Sequence, residues 1–571
     1  MRLRICVAVL VMAATALLPA STAVAENNGI GLTPALGWSS WSFIRHNPTA
    51  AKIEAQADAM KSSGLAAVGF QYVNLDDFWY QCPGSQGPNV DANGRWVTDT
   101  TKFPNSGTTN GIQVVADHVH ADGLKFGLYV TPGISAQAVA KNTPILGTTF
   151  HAKDIATTAS ERNFNCHGMV GIDYSKPGAQ AFINSWANQF AAWGVDYVKI
   201  DGVGTSDVPD IQAWSTALRQ TGRPIHLELS NNLAIGSAAT WAQLSNGWRT
   251  GGDIECYSCE TGGSSFPLTH WASMQNRFGA VANWQPFGGP GAFNDYDSLE
   301  VGNGTNTGLT VPERQSMMSL WALGASPLIL GTDLTNLDAT DLGLLKNTRI
   351  LAVDQDAIDA RRIVNSGNQQ VYSKTEKDGS VIIGLFNFSD TASQTDTVSL
   401  SAAGVNGSAT ATDLWTGAAK GTLSGTYSVT LGAGAVQLLK LVPAAGATTI
   451  EAEASGNTIA GAARIATCAA CSGGRKVGFI GNGAANSVTI NNVNSPNAGT
   501  KTLTFTYLLS GSRTFDISVN GGADIVVNLT GSSFATPVQD SIPVTLKAGA
   551  NTIKFHNDAA FGPDLDTITV S

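Results

Sequence analysis

The segment VDYVKIDGVG, residues 195–204, places a lysine and an aspartate at the end of a run that otherwise has the character of a buried strand. Its apolar residues lie between Gly194 and Gly202, and this pattern predicts a β-strand. Lys199 and Asp201 point toward the same space, because side chains alternate with a period of two along a strand. A lysine and an acid together at the end of a buried strand indicate a functional site.

Short strand-like runs alternate with amphipathic helical patterns up to about residue 355. Eight such runs separated by helices are the number found in an α/β fold of the (β/α)8 or TIM-barrel type. Active-site groups of such barrels lie at the carboxyl ends of the strands, where several of these runs carry polar or aromatic residues. The eight runs are LGWSSW (36–41), QYVNLDD (71–77), LKFGLYV (124–130), VDYVKID (195–201), PIHLELS (224–230), GWRTGGD (247–253), NWQPFG (283–288) and ASPLILG (325–331).

The pattern changes after the predicted barrel, which we assign to residues 26–355. Short strands with Gly, Asn and Asp turns and no helical pattern predict an antiparallel β-sandwich domain over residues 356–442. The segment PAAGATT, residues 443–449, has the composition of a linker. Residues 450–571 again show evenly spaced short strands, which predicts a second β-sandwich module of the jelly-roll type.

The first 25 residues have the pattern of a secretory signal peptide. Arg2 and Arg4 precede an apolar run that ends in the small residues of Ala23-Val24-Ala25. No later run is long and apolar enough to span a bilayer, and the formal charge of −10 comes without any basic run. We therefore expect a secreted, extracellular protein that binds neither nucleic acid nor membrane. No pattern in the sequence predicts an oligomeric state.

Six cysteines remain after the signal peptide, an even number that predicts disulfides in an exported protein. Two pairs are C-x-x-C motifs, which can also bind zinc or carry redox chemistry. No histidine lies close to either motif in the sequence, so we favour local disulfides over these alternatives. The expected pairs are Cys256 with Cys259, Cys468 with Cys471 and, as the long-range bridge, Cys82 with Cys166.

A second acid, Asp253, ends another predicted strand in GWRTGGDIECY, residues 247–257, with Arg249 on the same run. Two carboxylates that flank one bond are what glycoside hydrolysis requires, one as the nucleophile and one as the acid. A cation such as Lys199 favours the ionised nucleophile, whereas a dry environment favours the protonated acid. From its position alone, Asp201 can equally be a structural cap or a metal ligand.

Aromatic and acidic residues near other strand ends suit a sugar ligand. Asp76 and Asp77 can accept hydrogen bonds from sugar hydroxyls, although an Asp-Asp pair can also form a helix N-cap. The residues that could offer apolar ring faces are Trp41, Trp79, Tyr129 and Trp248.

A set of ordered motifs between about residues 30 and 440 resembles glycoside hydrolase family 27, whose best-known members are α-galactosidases. The resemblance implies a TIM barrel with a following β domain and a retaining, double-displacement mechanism that uses neither a metal nor another cofactor. The motifs are LGWSSW, YVNLDDFW, KFP, HADGLKFGLYVTPG, VDYVKIDG, WRTGGDI, GGPGAFNDYDSLEVGNG and LWALGASPLILGTDL with LLKNTRILAVDQD.

The resemblance also implies a role for individual residues. The nucleophile falls on Asp201, after the lysine of the K-x-D pattern, and the acid/base falls on Asp253. The implied sugar-binding residues are Trp41, Asp76, Asp77, Tyr129, Lys199 and Arg249.

Several positions depart from the pattern of the family. Phe78 and Val203 stand where many members carry cysteines, so Cys82–Cys166 is expected to replace their disulfides. The segment HLELSNN lacks the pattern that reads the 2-substituent of the sugar in animal members. The motif NDYDSL leads us to expect that Tyr296 and Ser298 reshape the pocket wall.

The acidic pair Asp76-Asp77 favours α-D-galactose, because the family uses it to bind the hydroxyls at C4 and C6. A β-L-arabinopyranosidase is the main alternative, since the appended β modules look like those of arabinopyranosidases; an isomalto-dextranase is disfavoured because it handles glucose. A non-catalytic sugar-binding protein would be expected to lack Asp201 or Asp253. A metal-dependent hydrolase would need a His/Asp cluster at strand ends, which the eight histidines do not form in the sequence.

The C-terminal module opens with IEAEAS and closes with FGPDLDTITV, and it resembles the carbohydrate-binding sandwich modules related to families 6 and 35. That resemblance implies a structural calcium, with Glu451, Glu453 and Asp566 at the matching positions. Ordinary surface acids on strand ends are the alternative. The module contains no tryptophan, so a packing role stands beside sugar binding.

Overall fold

The structure is a computed structural model that describes residues 28–260, 262–405, 407–444, 448–495 and 498–571. The predicted signal peptide, residues 1–25, lies outside the described residues. None of the described helices combines the length and the apolar character that a membrane crossing requires.

The N-terminal part is a parallel, eight-stranded barrel, as the sequence predicts. Each of the first six strands pairs with the next in chain order, and the last pairs with the first. A parallel bridge between Leu299 and Leu330 completes the ring. The strands, numbered β1 to β8, are Leu36–Ser39, Tyr72–Leu75, Lys125–Val130, Val195–Ile200, His226–Leu229, Gly247–Arg249, Phe293–Asp295 and Leu328–Leu330.

One main helix follows each barrel strand and buries an apolar face against the sheet. Local signals fix where these helices begin: the side chain of Thr49 caps the first, and Thr310 forms a capping box with Glu313 at the seventh. The helices, numbered α1 to α8, are Ala50–Ser62, Gly111–Ala121, Ala179–Ala192, Val208–Gln220, Ala238–Leu244, Trp271–Trp284, Val311–Leu323 and Thr348–Gln355.

The loops at the carboxyl ends of the strands carry additional structure. The segment between β3 and α3 forms a small three-stranded sheet from Ile134–Ser135, Ala156–Glu161 and Met169–Ile172. The disulfide between Cys82 and Cys166, with Cα atoms 5.3 Å apart, ties this segment to the loop after β2. Short helices lie at Trp41–Ile44, Ala136–Lys141, Ala152–Ile155 and Ala339–Leu345.

The predicted position of the seventh strand, NWQPFG, is wrong. Asn283 and Trp284 end α6, and the strand is the three-residue β7 that follows a glycine-rich turn. A run this short carries too little periodicity to separate a strand from the end of a helix.

The second unit consists of antiparallel strands that pack on the barrel. Alternate residues of the strand Val381–Asn387 pack into two different apolar cores. Ile382 and Phe386 belong to the core of the barrel, whereas Ile383 and Leu385 belong to a separate core of this unit. The two faces of a strand explain this division. The strands are Arg361–Ser366, Gln369–Thr375, Val381–Asn387, Gln394–Ser399, Ser408–Asp413, Ala419–Ser424, Thr426–Leu431 and Val436–Pro443.

The C-terminal unit is likewise antiparallel and has its own apolar core. Within the predicted linker, Pro443 ends one strand, residues 445–447 lie outside the described residues, and Thr448–Glu451 pairs with the last strand. The strands are Thr448–Glu451, Thr458–Ala460, Arg464–Thr467, Arg475–Gly478, Ser487–Ser495, Gly499–Val519, Ile525–Leu546, Gly549–His556 and Asp564–Val570.

Both C-x-x-C motifs are closed as local disulfides, Cys256 with Cys259 and Cys468 with Cys471. Together with the long-range bridge, they confirm the three predicted pairings.

Candidate active site

Strand β4 carries Lys199 and Asp201 to the mouth of the barrel, as the alternation of the strand predicts. Lys199 Nζ lies 2.7 Å from Asp76 Oδ2 at the end of β2, and 5.8 Å from the centre of the Tyr129 ring on β3. The amide of Asp201 donates to the Val130 carbonyl at 2.9 Å, which continues the pairing of β3 with β4. The structure thus gathers residues of three neighbouring strands that the sequence assigned to one site.

Lys199 remains a cation in this environment. Burial by itself lowers the pKa of an amine, but the charges of Asp76 and Asp201 outweigh it and raise the pKa of Lys199 well above its usual value. A fixed positive charge therefore lies beside the predicted nucleophile.

Asp76 and Asp77 form a buried acidic turn after β2. Asp76 Oδ1 accepts the Asp77 amide at 2.8 Å, and Asp77 Oδ1 accepts the Phe78 amide at 2.7 Å. The helix N-cap alternative is wrong, since the next helix, α2, begins only at Gly111. Burial raises the pKa of Asp77 to about 7.

Two polar groups at this acidic turn have no hydrogen-bond partner within the described part of the chain. They are Asp77 Oδ2 and the Tyr129 hydroxyl, and both are buried. Buried polar groups in folded proteins are nearly always hydrogen-bonded. Two unpartnered groups beside Lys199 therefore indicate a place for a ligand that carries hydroxyls.

Asp253 follows β6 on a loop and has a partner for each carboxylate oxygen. Arg249 donates to Oδ1 at 3.1 Å, and the Tyr257 hydroxyl lies 2.5 Å from Oδ2. The side chain of Asp253 is 43% exposed. Partial burial raises its pKa, but the charge of Arg249 and the hydrogen bond from Tyr257 outweigh burial and lower the pKa to about 2. The Asp253 carboxyl is thus partly open to solvent and ionised, whereas a dry environment would favour the proton that a general acid needs.

Asp297 is a residue of this site that sequence reasoning missed, although it lies in the quoted motif NDYDSL. Its Oδ2 is 2.7 Å from Arg249 and accepts the Ile254 amide at 2.7 Å. Asp297 therefore anchors both the guanidinium that contacts Asp253 and the backbone next to Asp253.

Three aromatic residues lie elsewhere than expected. Trp79 is fully buried, donates Nε1 to the Tyr129 carbonyl at 2.9 Å and offers no free ring face. Trp248 is also fully buried, in the core between sheet and helices, because its neighbour Arg249 takes the inner side of β6. Tyr296 packs on Trp321 at 6.1 Å and does not form the pocket wall.

Trp41, by contrast, lies at the mouth of the barrel. It is partly exposed, its ring stacks on Phe78 at 6.4 Å, and its Nε1 donates to the Tyr257 hydroxyl at 2.9 Å.

A small cavity lies among the charged residues, inside the barrel. It has a volume of about 40 Å³ and is lined in part by Asp76, Lys199, Arg249, Glu228 and Ser298. A volume of this size holds roughly one to three water molecules. Ser298 thus lines this cavity.

Asp253, Glu255 and Asp297 offer carboxylate oxygens within 4.8 Å of one another, a spacing that a metal ion can use. Arg249 already lies 3.1 Å from the first acid and 2.7 Å from the third. The Arg249 guanidinium therefore supplies the positive charge that a metal ion would otherwise bring to these acids.

Comparison with known proteins supports the barrel and its second unit. A family model described as "Alpha galactosidase A" matches residues 33–160 and 163–356, and one described as "Alpha galactosidase C-terminal beta sandwich domain" matches residues 366–441. An α-galactosidase of Cyamopsis tetragonoloba is 32% identical over 73% of this chain and 88% of its own length. One named α-galactosidase A, of Cellvibrio japonicus, is 32% identical over 63% of this chain and 77% of its own length.

Solved structures extend the comparison. A β-L-arabinopyranosidase of glycoside hydrolase family 27 from Geobacillus stearothermophilus is 31% identical, with a TM-score of 0.65 over 73% of this chain and 97% of its own. An isomalto-dextranase of Arthrobacter globiformis matches 94% of this chain and 96% of its own with a TM-score of 0.67 at 18% identity, a likeness of fold alone that extends beyond the second unit.

The buried Glu228 leads to a prediction about stability. Burial raises the pKa of its carboxyl to about 8, so between pH 5 and pH 8 the folded state binds more protons than the unfolded state. The free energy of unfolding therefore falls as the pH rises through this window. We expect Glu228→Gln to remove up to about 3 kcal/mol of that fall, measured by urea unfolding at pH 5 and pH 8.

Glu54→Gln, the same substitution on α1, is the control. A Glu228→Gln variant whose unfolding free energy falls between these pH values as steeply as that of the wild type contradicts the prediction.

Proposed function

Because the chain belongs to the α-galactosidase family of glycoside hydrolases, we propose that it is a secreted exo-glycosidase that removes terminal α-D-galactosyl residues from oligosaccharides or polysaccharides. The observation that carries this proposal is the buried acidic turn of Asp76 and Asp77 beside Lys199, with unpartnered groups on Asp77 and Tyr129. A sugar with hydroxyls at C4 and C6 supplies partners for such a turn.

Asp201 acts as the nucleophile. The Gly202 amide donates to its Oδ1 at 2.8 Å and orients the carboxylate at the end of β4. In the first step, a carboxylate oxygen attacks the anomeric carbon while the bond to the leaving oxygen breaks, and Asp253 gives its proton to that oxygen. In the second step, Asp253 takes a proton from water, the water oxygen attacks the anomeric carbon, and the ester to Asp201 breaks with net retention.

Substrate binding prepares Asp253 for the first of these steps. A bound sugar covers the exposed part of its side chain, and the loss of water raises the pKa of a carboxyl group. Formation of the ester then removes the negative charge of Asp201, which lowers the pKa of Asp253 again and restores a base.

The unpartnered carboxylate oxygen of Asp77 supports galactose, rather than arabinopyranose, as the substrate. Arabinopyranose lacks the hydroxymethyl group at C6, so it leaves a buried carboxylate oxygen without a partner, and such a loss is costly. A β-L-arabinopyranosidase remains the second candidate, because a solved enzyme of that activity resembles this chain at 31% identity.

The charged residues of the site lead to a test of the mechanism. We expect Asp201→Asn to lower kcat/KM for p-nitrophenyl α-D-galactopyranoside about 10⁴-fold, because no nucleophile remains.

Asp253→Ala with added azide should form α-galactosyl azide, since azide needs no base to attack the intermediate. NMR of the product identifies the anomer; a β-azide from Asp253→Ala, or activity that survives in Asp201→Asn, contradicts the assignment.

The acidic turn leads to a test of specificity. Asp77→Ala should lower kcat/KM for p-nitrophenyl α-D-galactopyranoside about 100-fold and have a much smaller effect on p-nitrophenyl β-L-arabinopyranoside. Asp117→Ala, on the exposed side of α2, is the control. Equal losses on both substrates, or a wild type that prefers the arabinopyranoside, would show that Asp77 does not select galactose.

Export is the second part of the proposal. It is supported by the signal-peptide pattern of residues 1–25 and by three disulfides, which persist in oxidising compartments.

We also propose a structural calcium in the C-terminal unit. Glu451, Glu453 and Asp566 each have one buried carboxylate oxygen without a partner among the described residues. Burial and the charges of the two neighbouring acids raise the pKa of Glu453 to about 7. The three acids offer the oxygen ligands that calcium prefers, and a cation there would relieve their repulsion.

Calcium at a hundred times its Kd should stabilise this unit of the full chain by about 2.7 kcal/mol relative to EGTA. Thermal unfolding monitored by calorimetry measures the effect, which Glu453→Gln should abolish. Asp540→Asn, at a half-buried acid of the same unit, should leave it intact. A transition that calcium does not move contradicts the calcium site.

A further inference from the structure

The loop after Asp253 brings a tyrosine to the mouth of the barrel. Tyr257 lies on a single turn closed by the disulfide between Cys256 and Cys259. The Cys256 amide donates to the Leu268 carbonyl at 2.8 Å and fixes the start of this turn. Tyr257 is 46% exposed, although it is large and aromatic. A rigid turn therefore presents this side chain toward the site.

The direction of the hydrogen bonds at the Tyr257 hydroxyl is determined by chemistry. The indole Nε1 of Trp41, 2.9 Å away, is a donor only, so the Tyr257 oxygen accepts its hydrogen. The hydroxyl hydrogen is then available to Asp253 Oδ2, 2.5 Å away. Burial, followed by the charges of Glu255 and Asp253, raises the pKa of Tyr257 well above its usual value, so it remains a donor in alkaline solution.

The ring of Tyr257 is also held in place by a contact of its own. The guanidinium carbon of Arg45 lies 4.6 Å from the ring centre, and Arg45 is itself paired with Glu260 at 2.7 Å. Arg45 and Trp41 come from the segment after β1, whereas Tyr257 and Glu260 come from the loop after β6. These contacts connect the two sides of the mouth.

We propose that Tyr257 is a positioning residue that holds the carboxyl group of Asp253 toward the leaving group. Arg249 holds one carboxylate oxygen and Tyr257 the other, so a side chain that is 43% exposed is fixed in its plane. An exposed carboxylate with one partner turns about its side-chain bonds, and a small misplacement of a catalytic group is expensive. The proposal rests on the proposed role of Asp253 as the acid/base.

The test uses substituted phenyl α-galactosides that differ in leaving-group pKa and hardly in size. With Tyr257→Phe, we expect kcat/KM to fall about tenfold for poor leaving groups and little for activated ones, which need no proton. The alkaline limb of the kcat profile, which reports the enzyme–substrate complex, should move up by about one pH unit, because a hydrogen bond to the ionised carboxyl is lost. If the wild type prefers arabinopyranosides, the same series is made on that sugar.

Two further variants separate the possible results. Ser258→Ala, on the same turn, controls for damage to the loop, and Asp253→Asn shows the full dependence on leaving group. A Tyr257→Phe loss that is equal for all leaving groups, with an unmoved pH profile, overturns the proposal while Asp253→Asn still supports the acid/base. An Asp253→Asn variant without leaving-group dependence, or a wild type that hydrolyses neither sugar, overturns the proposed function and this inference together.

Discussion

Lys199 and Asp76 form an ion pair, with Nζ 2.7 Å from Oδ2, that reaches from β4 past β3 to the end of β2. Removing two charges from water costs several kcal/mol per ion, so such a pair persists only where further hydrogen bonds complete it. Asp76 has them: its amide donates to Ser40 Oγ at 2.9 Å, and its second oxygen accepts the Asp77 amide. The pair fixes the ammonium group at the end of β4, beside the carboxylate of Asp201.

A second buried cation serves the opposite side of the mouth. Arg249 pairs with the buried Asp297 and with the exposed Asp253. Lys199 thus lies beside the proposed nucleophile, whereas Arg249 contacts the proposed acid/base directly, and the charge of Lys199 also lowers the pKa of Asp253. Because the two acids have different neighbours and different exposure, their proton affinities can be set separately, which double displacement requires.

Sequence patterns predict the parts of this site that lie on strands. Alternation along β4 places Lys199 and Asp201 together, and the eightfold repeat places Asp76 at the same edge. Patterns fail where a contact joins distant loops: nothing in the spacing shows that Asp297 holds Arg249, or that Trp41 meets Tyr257, 216 residues apart. They also fail at Trp79 and Trp248, since an aromatic residue near a strand end can face the helices as readily as the mouth. The strand β7 was misplaced because three residues show no period.

Asp253 lies on a loop, and its backbone is held in place by hydrogen bonds to buried residues rather than by strand pairing. A loop lacks the ladder of hydrogen bonds that fixes Asp201, so other bonds must hold Asp253, the proposed acid/base, in place relative to Asp201, the proposed nucleophile. Asp297 accepts the Ile254 amide, and the Thr269 hydroxyl donates to the Ile254 carbonyl at 2.7 Å. Both polar groups of the residue after Asp253 are thereby tied to the buried scaffold. The side chain of Asp253 can then remain open to leaving groups of different shape, while hydrogen bonds to the next residue hold the loop backbone in place.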